Sequence, residues 1–193
     1  MIALLASLLL STNATPRELV MNCRSMVPEN VELRGRIVLR NRKGIPQTEH
    51  DYVLSRSNSI TRLMVDGRSL EPSTFNLQPS ISICNTDVTW SDITLDYLWW
   101  DDFSFDDERE GETVHGQICA VGVMRKGDRT VRVWVDRKTG ALMQAEEFAG
   151  GKAVRRLWGT RIRKFGERWM ANVLEVETIG SGHRTKITVE ELK

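Results

Sequence analysis

From Val131 to its C-terminus the chain reads as a ladder of β-hairpins, and that ladder limits what it can fold into. Val131 to Asp136 (VRVWVD) is followed by the turn Arg137-Lys138-Thr139-Gly140 and by Ala141 to Phe148. Gly150-Gly151 leads into Ala153 to Ile162, and Phe165-Gly166-Glu167-Arg168 leads into Trp169 to Thr178. Gly180-Ser181-Gly182 then opens a last strand, Arg184 to Glu190. Glycine-bearing turns between runs rich in Val, Ile, Leu and Trp are the signature of tight hairpins. Consecutive hairpins make an antiparallel meander, and a curved meander offers a concave face that can hold a ligand. The expectation is a binding protein.

The N-terminal half adds strands to the same sheet. Val31, Leu33, Gly35, Ile37 and Leu39 alternate with Glu32, Arg34, Arg36 and Arg40, the period-two pattern of a strand with one buried face. Asn41 to Gln47 reads as a turn, followed by strands near Glu49 to Arg56 and Ser59 to Val65 joined at Ser57-Asn58. Asp66-Gly67 turns the chain again, and Glu71 to Gln78 reads as loop. Glu112 to Met124 and Arg129 to Asp136 read as one hairpin about Lys126-Gly127-Asp128.

The middle of the chain breaks the β pattern. Thr89 is placed to cap a helix with Asp92 three residues on. Wound as a helix, Trp90, Ile93, Tyr97 and Trp100 share one face, while Leu95, Leu98 and Trp99 cover much of the rest. So much apolar surface implies burial on more than one side. The segment either plugs the mouth of the curved sheet or packs as an ordinary core helix.

Ile2 to Leu10 is an apolar run of nine residues followed by small polar residues up to Ala14. As a helix it would rise only about 14 Å, far short of a bilayer core of ~30 Å. It reads as an export signal over residues 1–14, with a buried N-terminal helix as the alternative. No Lys or Arg precedes the run. Thr15-Pro16-Arg17-Glu18 then combines a capping threonine, a proline at the first helical position and a glutamate three residues after the cap. A helix is expected from there to about Met26, stopped by Pro28.

Residues 15–193 suit a single domain, and no linker, repeat or low-complexity segment divides them. With 27 Lys+Arg against 26 Asp+Glu, no global field recruits nucleic acid. Three cysteines in an exported chain allow one internal pair, Cys84 with Cys119, or three small buried hydrophobes. Asp101 to Glu110 carries six carboxylates. It reads as a solvated loop, or as a calcium loop without the order of an EF-hand. His50, His115 and His183 lie in different elements at no metal-ligand spacing, and no nucleophile elbow or phosphate-cradling loop is present. No catalytic residue, metal site or cofactor is assigned.

Three stretches carry a resemblance. Thr86 to Trp90 with Ser91-Asp92-Ile93 is similar to a TDLSYEDL-type segment. Gly111 to Ala120 (GETVHGQICA) is similar to a GEExVxGxPCy strand. Trp134 to Glu147 (WVDRKTGALMQAEE), with Trp169 and Gly182-His183-Arg184-Thr185, is similar to a WIDKxTGxPLxxE ending followed by a tryptophan and GHxT. In this order the motifs resemble the outer-membrane lipoprotein-sorting proteins, the LolA-like family. The resemblance implies a mainly β fold (α+β), an open antiparallel β-barrel or curved meander sheet with an N-terminal helix and a middle helical lid. It also implies a monomeric periplasmic carrier of lipids or lipid-modified proteins. Its partners would be acyl chains of lipid or lipoprotein and an inner-membrane release complex or other membrane partner.

On that reading the cavity and lid are formed by Leu33, Ile37, Leu39, Trp90, Ile93, Leu95, Leu98, Trp99 and Trp100. Each buried CH₂ contributes roughly 0.8 kcal/mol, so a sixteen-carbon chain requires a site worth about 12 kcal/mol. Carriers of this type also hold the lid with an arginine inside the barrel. Arg34, Arg36 and Arg40 lie opposite the apolar residues, so none of them is assigned that role. Two other functions share this scaffold: a periplasmic sensor or interaction module regulating a membrane partner, and an enzyme whose site is dispersed over several strands.

Overall fold

The computed structural model describes residues 15–25, 27–57, 60–70, 81–165 and 168–193. The 1–14 segment therefore lies outside the described residues, as does the whole of the loop expected at Glu71 to Gln78. The first element among the described residues is α1 (Pro16–Ser25), and its capping box is formed as expected. Glu18 accepts from the Thr15 amide at 2.7 Å, and the Glu18 amide donates to Thr15 Oγ1 at 3.3 Å. Four strands follow: β1 (Val31–Asn41), β2 (Pro46–Ser57), β3 (Ile60–Val65) and β4 (Arg68–Leu70). Asp66 and Gly67, at φ 50° and 76°, make the two-residue turn between β3 and β4.

A short helix α2 (Trp90–Thr94) and a 3-10 turn (Asp96–Trp99) interrupt the strands. Then come β5 (Asp102–Phe105), β6 (Thr113–Val114), β7 (Gln117–Lys126), β8 (Arg129–Asp136), β9 (Leu142–Ala149), β10 (Lys152–Phe165), β11 (Arg168–Thr178) and β12 (His183–Leu192). They form one antiparallel sheet in the order β4-β3-β2-β1-β12-β11-β10-β9-β8-β7-β5, with β6 paired to β7. The C-terminal meander is the run β7 to β12. Pairing of β12 with β1 joins it to the N-terminal strands, and Glu32 and Lys193 exchange backbone hydrogen bonds of 3.0 and 2.9 Å.

The register fixes two faces. On one, Leu33, Ile37, Leu54, Leu63, Val133, Leu157, Val176, Ile187 and Val189 are buried. On the other lie Arg34, Arg36 and Arg40 of β1 and Arg184 and Lys186 of β12, with Arg40 directly opposite Arg184. Gly35 sits at a register shift where β1 meets β12. A Cβ there would lie 1.8 Å from the Thr188 carbonyl oxygen, so only glycine permits this approach.

Three expectations are corrected. The middle segment is not one helix: Leu95 adopts φ 53° and ψ 37°, and its amide closes on the Ser91 carbonyl, ending α2. Glu112 to Met124 is not one strand, because His115 and Gly116, at φ 50° and 79°, turn β6 back onto β7. The acidic run is not simply a solvated loop. Asp102 to Phe105 pairs with β7, Asp106 meets Arg132 at 3.2 Å, and Glu110 pairs with Arg137. Arginines from neighbouring elements draw these carboxylates onto the sheet.

Candidate functional site

The apolar face of the sheet is covered by residues 81–100 together with α1. Local chemistry shapes this cover. The Ile83 amide donates to the Val88 carbonyl at 2.7 Å, closing a tight loop. Thr89 and Asp92 then form a reciprocal capping box, with the Thr89 amide on Asp92 Oδ2 at 2.7 Å. From this start Trp90, Ile93, Leu95, Tyr97, Leu98 and Trp100 all become buried. They share one core with Leu33 and Ile37 of β1 and with Leu19, Val20 and Cys23 of α1. Two segments distant in sequence therefore bury against one concave surface.

Polar contacts pin the cover at separate points. Asp87 is tied to the last two strands: its amide donates to Thr185 Oγ1 at 2.9 Å, the Thr185 hydroxyl donates to its Oδ2 at 3.0 Å, and the Thr178 amide donates to its Oδ1 at 3.2 Å. Arg155 of β10 pairs with Asp92 and donates to the Asp87 carbonyl at 2.7 Å. Arg129 of β8 meets Glu147 at 3.0 Å, Ser91 Oγ at 3.2 Å and Asp96 at 3.9 Å, with its guanidinium 4.9 Å from the centre of the Trp100 ring. Ser91 in turn donates to Asp96, which also accepts from Trp100 Nε1 at 3.1 Å. At the far end, Arg24 of α1 donates to the Leu98 carbonyl.

These pins lie beside apolar groups. Tyr97 is buried with its hydroxyl unpartnered, and burial pushes that hydroxyl well above the ordinary tyrosine range. Burial likewise pushes the Cys23 thiol up to about 12. A hollow of about 20 Å³ remains between Tyr97, Arg129 and Arg155, too small for an acyl chain. In this state the cover is closed at that point.

Of the residues expected to form cavity and lid, Leu33, Ile37, Trp90, Ile93, Leu95, Leu98 and Trp100 come together in this core. Leu39 is only half-buried and lies outside it. Trp99 is 42 % exposed, with the Arg56 guanidinium 5.8 Å from its ring centre. Of the two readings of the cysteines, the Cys84–Cys119 pair is not formed, and Cys23, Cys84 and Cys119 are free. Cys119 is buried on β7 near Glu112 and Asp136, whereas Cys84 lies near Asp66 at the β3–β4 turn. Burial raises both thiols, Cys119 to about 11.

Sequence reading missed Arg129, Arg155, Asp87 and Thr185. The signal was present in the strand columns. Arg155 precedes Leu157 by two residues, and Arg129 precedes Val131 and Val133 at the same spacing. In a strand that spacing places each arginine on the buried face.

No helix among the described residues is long and apolar enough to cross a membrane. Comparison with known proteins gives a family and a fold. The sequence model of a family described as "Uncharacterized protein" matches residues 76–193. No curated relative matches. The structure is similar to a LolA superfamily protein from Nitrosomonas europaea, at 15 % identity and TM-score 0.68 over 93 % of each chain. It is similar to a DUF1329 family protein from Desulfovibrio piger, at 15 % identity and TM-score 0.66, covering 92 % of this chain and 91 % of the other. A third similar structure is a domain from Vibrio parahaemolyticus described as an outer membrane lipoprotein-sorting protein. There the identity is 12 % and the TM-score 0.64, with 91 % of this chain and 90 % of the other covered. By the family model, which spans more than half of its length, the chain belongs to that uncharacterized-protein family, and its fold is that of the LolA superfamily.

Proposed function

We propose that this chain is an exported periplasmic carrier of lipids or lipid-modified proteins, in which residues 81–100 are a lid over an apolar concave sheet. The observation that carries the reading is the way the lid is held. Its inner side is apolar, but its attachment runs through two inward-facing arginines, Arg129 and Arg155, each on lid carboxylates. Such contacts are directional, and water can replace them one by one as the lid lifts. Lifting it would free Leu33, Ile37 and their neighbours for an acyl chain, with Leu95, Leu98 and Trp100 closing over it. Capture and release then follow from differential affinity of the two lid states for lipid and for a membrane partner.

Native mass spectrometry of the purified protein, with organic extraction of whatever it carries, tests this. Phospholipid or acyl-peptide adducts, or their formation on adding lipid, are the expected result. A protein that stays free of lipid when challenged would overturn the carrier reading. The reading it would favour is a sensor or interaction module on the same scaffold, supported by the small hollow and the burial of the lid's apolar side chains.

A further inference from the structure

On the face of the sheet away from the lid, several cations are matched by carboxylates. Arg36 holds Glu49 at 2.8 Å and Glu190 at 2.7 Å. Arg156 holds Glu146 at 2.7 Å, and Arg184 holds Glu175 at 3.1 Å and Glu177 at 3.3 Å. The pattern does not hold where several cations share a cleft. A cleft of about 430 Å³ between the β1–β2 turn and the β11–β12 turn is lined by Arg40, Arg42, Arg184 and Lys186 against Glu175 and Glu177. Both carboxylates are already engaged by Arg184, so among the described residues Arg40, Arg42 and Lys186 make no ion pair.

The three cations outside ion-pair distance line the cleft, Arg40 and Lys186 half-buried and Arg42 exposed. Arg40 Nε is sealed from solvent without a hydrogen-bond partner. Arg42 lies across Gly182, its guanidinium 3.5 Å from where a Cβ would stand, so a side chain at 182 would crowd it. Lys186 sits two pairs along from Arg40 in the β1–β12 register, and so on the same face. Burial first, then Arg40 and Arg161, hold its ammonium below the ordinary lysine range, against the opposing pull of Glu175 across from it on β11. Four cations thus share the cleft with two carboxylates, and Arg40, Arg42 and Lys186 lie beyond ion-pair distance of either. An anion of concentrated charge with several acceptor oxygens would satisfy all three at once.

The geometry points to a phosphate-binding site in this cleft, for a phosphoryl group offered by a soluble phosphoester or by a lipid headgroup, with Arg40, Arg42 and Lys186 as its ligands. The site is separate from the lid and does not rest on the carrier reading. Calorimetric titration of the full chain with inorganic phosphate and with glycerol 3-phosphate tests it. Sedimentation with phosphatidylglycerol vesicles, against phosphatidylcholine vesicles, runs alongside. The variants are R40Q/K186Q, R42Q and, as a distant control, R125Q on β7, each checked by thermal melting. Saturable phosphate binding is expected, weakened about tenfold or more in R40Q/K186Q and in R42Q and unchanged in R125Q. If phosphatidylglycerol vesicles also bind with the same dependence, the phosphoryl group is a headgroup. If only the small phosphates bind, it is a soluble phosphoester. Absence of binding to wild type, or equal weakening by R125Q, would overturn the proposal.

Discussion

Arg155 on β10 and Asp92 on α2 meet across 63 residues of sequence, with side chains only 14 % and 12 % exposed. Their contact joins the capping box of α2 to the sheet beneath it. Asp92 therefore both starts a helix and docks it, and the lid's local fold and its attachment are lost together.

Replacing Asp92 by alanine removes the capping carboxylate and leaves Arg155 uncompensated. Breaking a buried pair in this way costs about 3–5 kcal/mol, which lowers Tm on the order of 10 °C for a chain of this size. Thermal melting measures that loss. Hydrogen exchange is expected to rise most over residues 86–100 in the variant.

A second prediction concerns the seam between the two halves of the sheet. In Gly35→Ala the new methyl meets backbone, not a side chain that could swing away. The β1–β12 pairing must shift, at a cost of about 3 kcal/mol or more. Chemical denaturation of the variant measures this, and a loss below about 1 kcal/mol would contradict the close approach.

Alkaline pH separates Cys23 from an ordinary thiol. Its folded-state value is raised from 9.0 to about 12, so the unfolded chain loses the proton first as pH rises. Stability is full below pH 9 and falls between pH 9 and about 12, by about 1.4 kcal/mol per pH unit from this group alone. Denaturant titrations across that window, with Cys23→Ala as the comparison, are expected to give a shallower slope in the variant.

The hairpin ladder was legible because glycine turns and period-two alternation are local signals. The same alternation marked Arg34, Arg36 and Arg40 as outward and Leu33 and Ile37 as inward. Other features depend on partners that no local pattern names. Leu95 takes a left-handed conformation because its amide closes on Ser91 while its side chain is buried in the core. The acidic run is ordered by Arg125, Arg132 and Arg137, which lie on strands and a turn later in the chain. Arg129 and Arg155 could have been read as inward from Val131 and Leu157, but the carboxylates they reach are fixed only by the folded lid.

The carrier account rests on the lid being a gate that Arg129 and Arg155 hold closed. Titrating a fluorescent fatty-acid analogue into wild type and into the Arg129→Gln/Arg155→Gln variant tests this most directly. Weakening the latch raises the fraction of chains that can accept a ligand, and apparent affinity rises with that fraction. The account predicts saturable binding by wild type and binding about tenfold tighter by the folded variant. Absence of binding to wild type, or unchanged or weaker binding by a variant that still melts cooperatively, would contradict it.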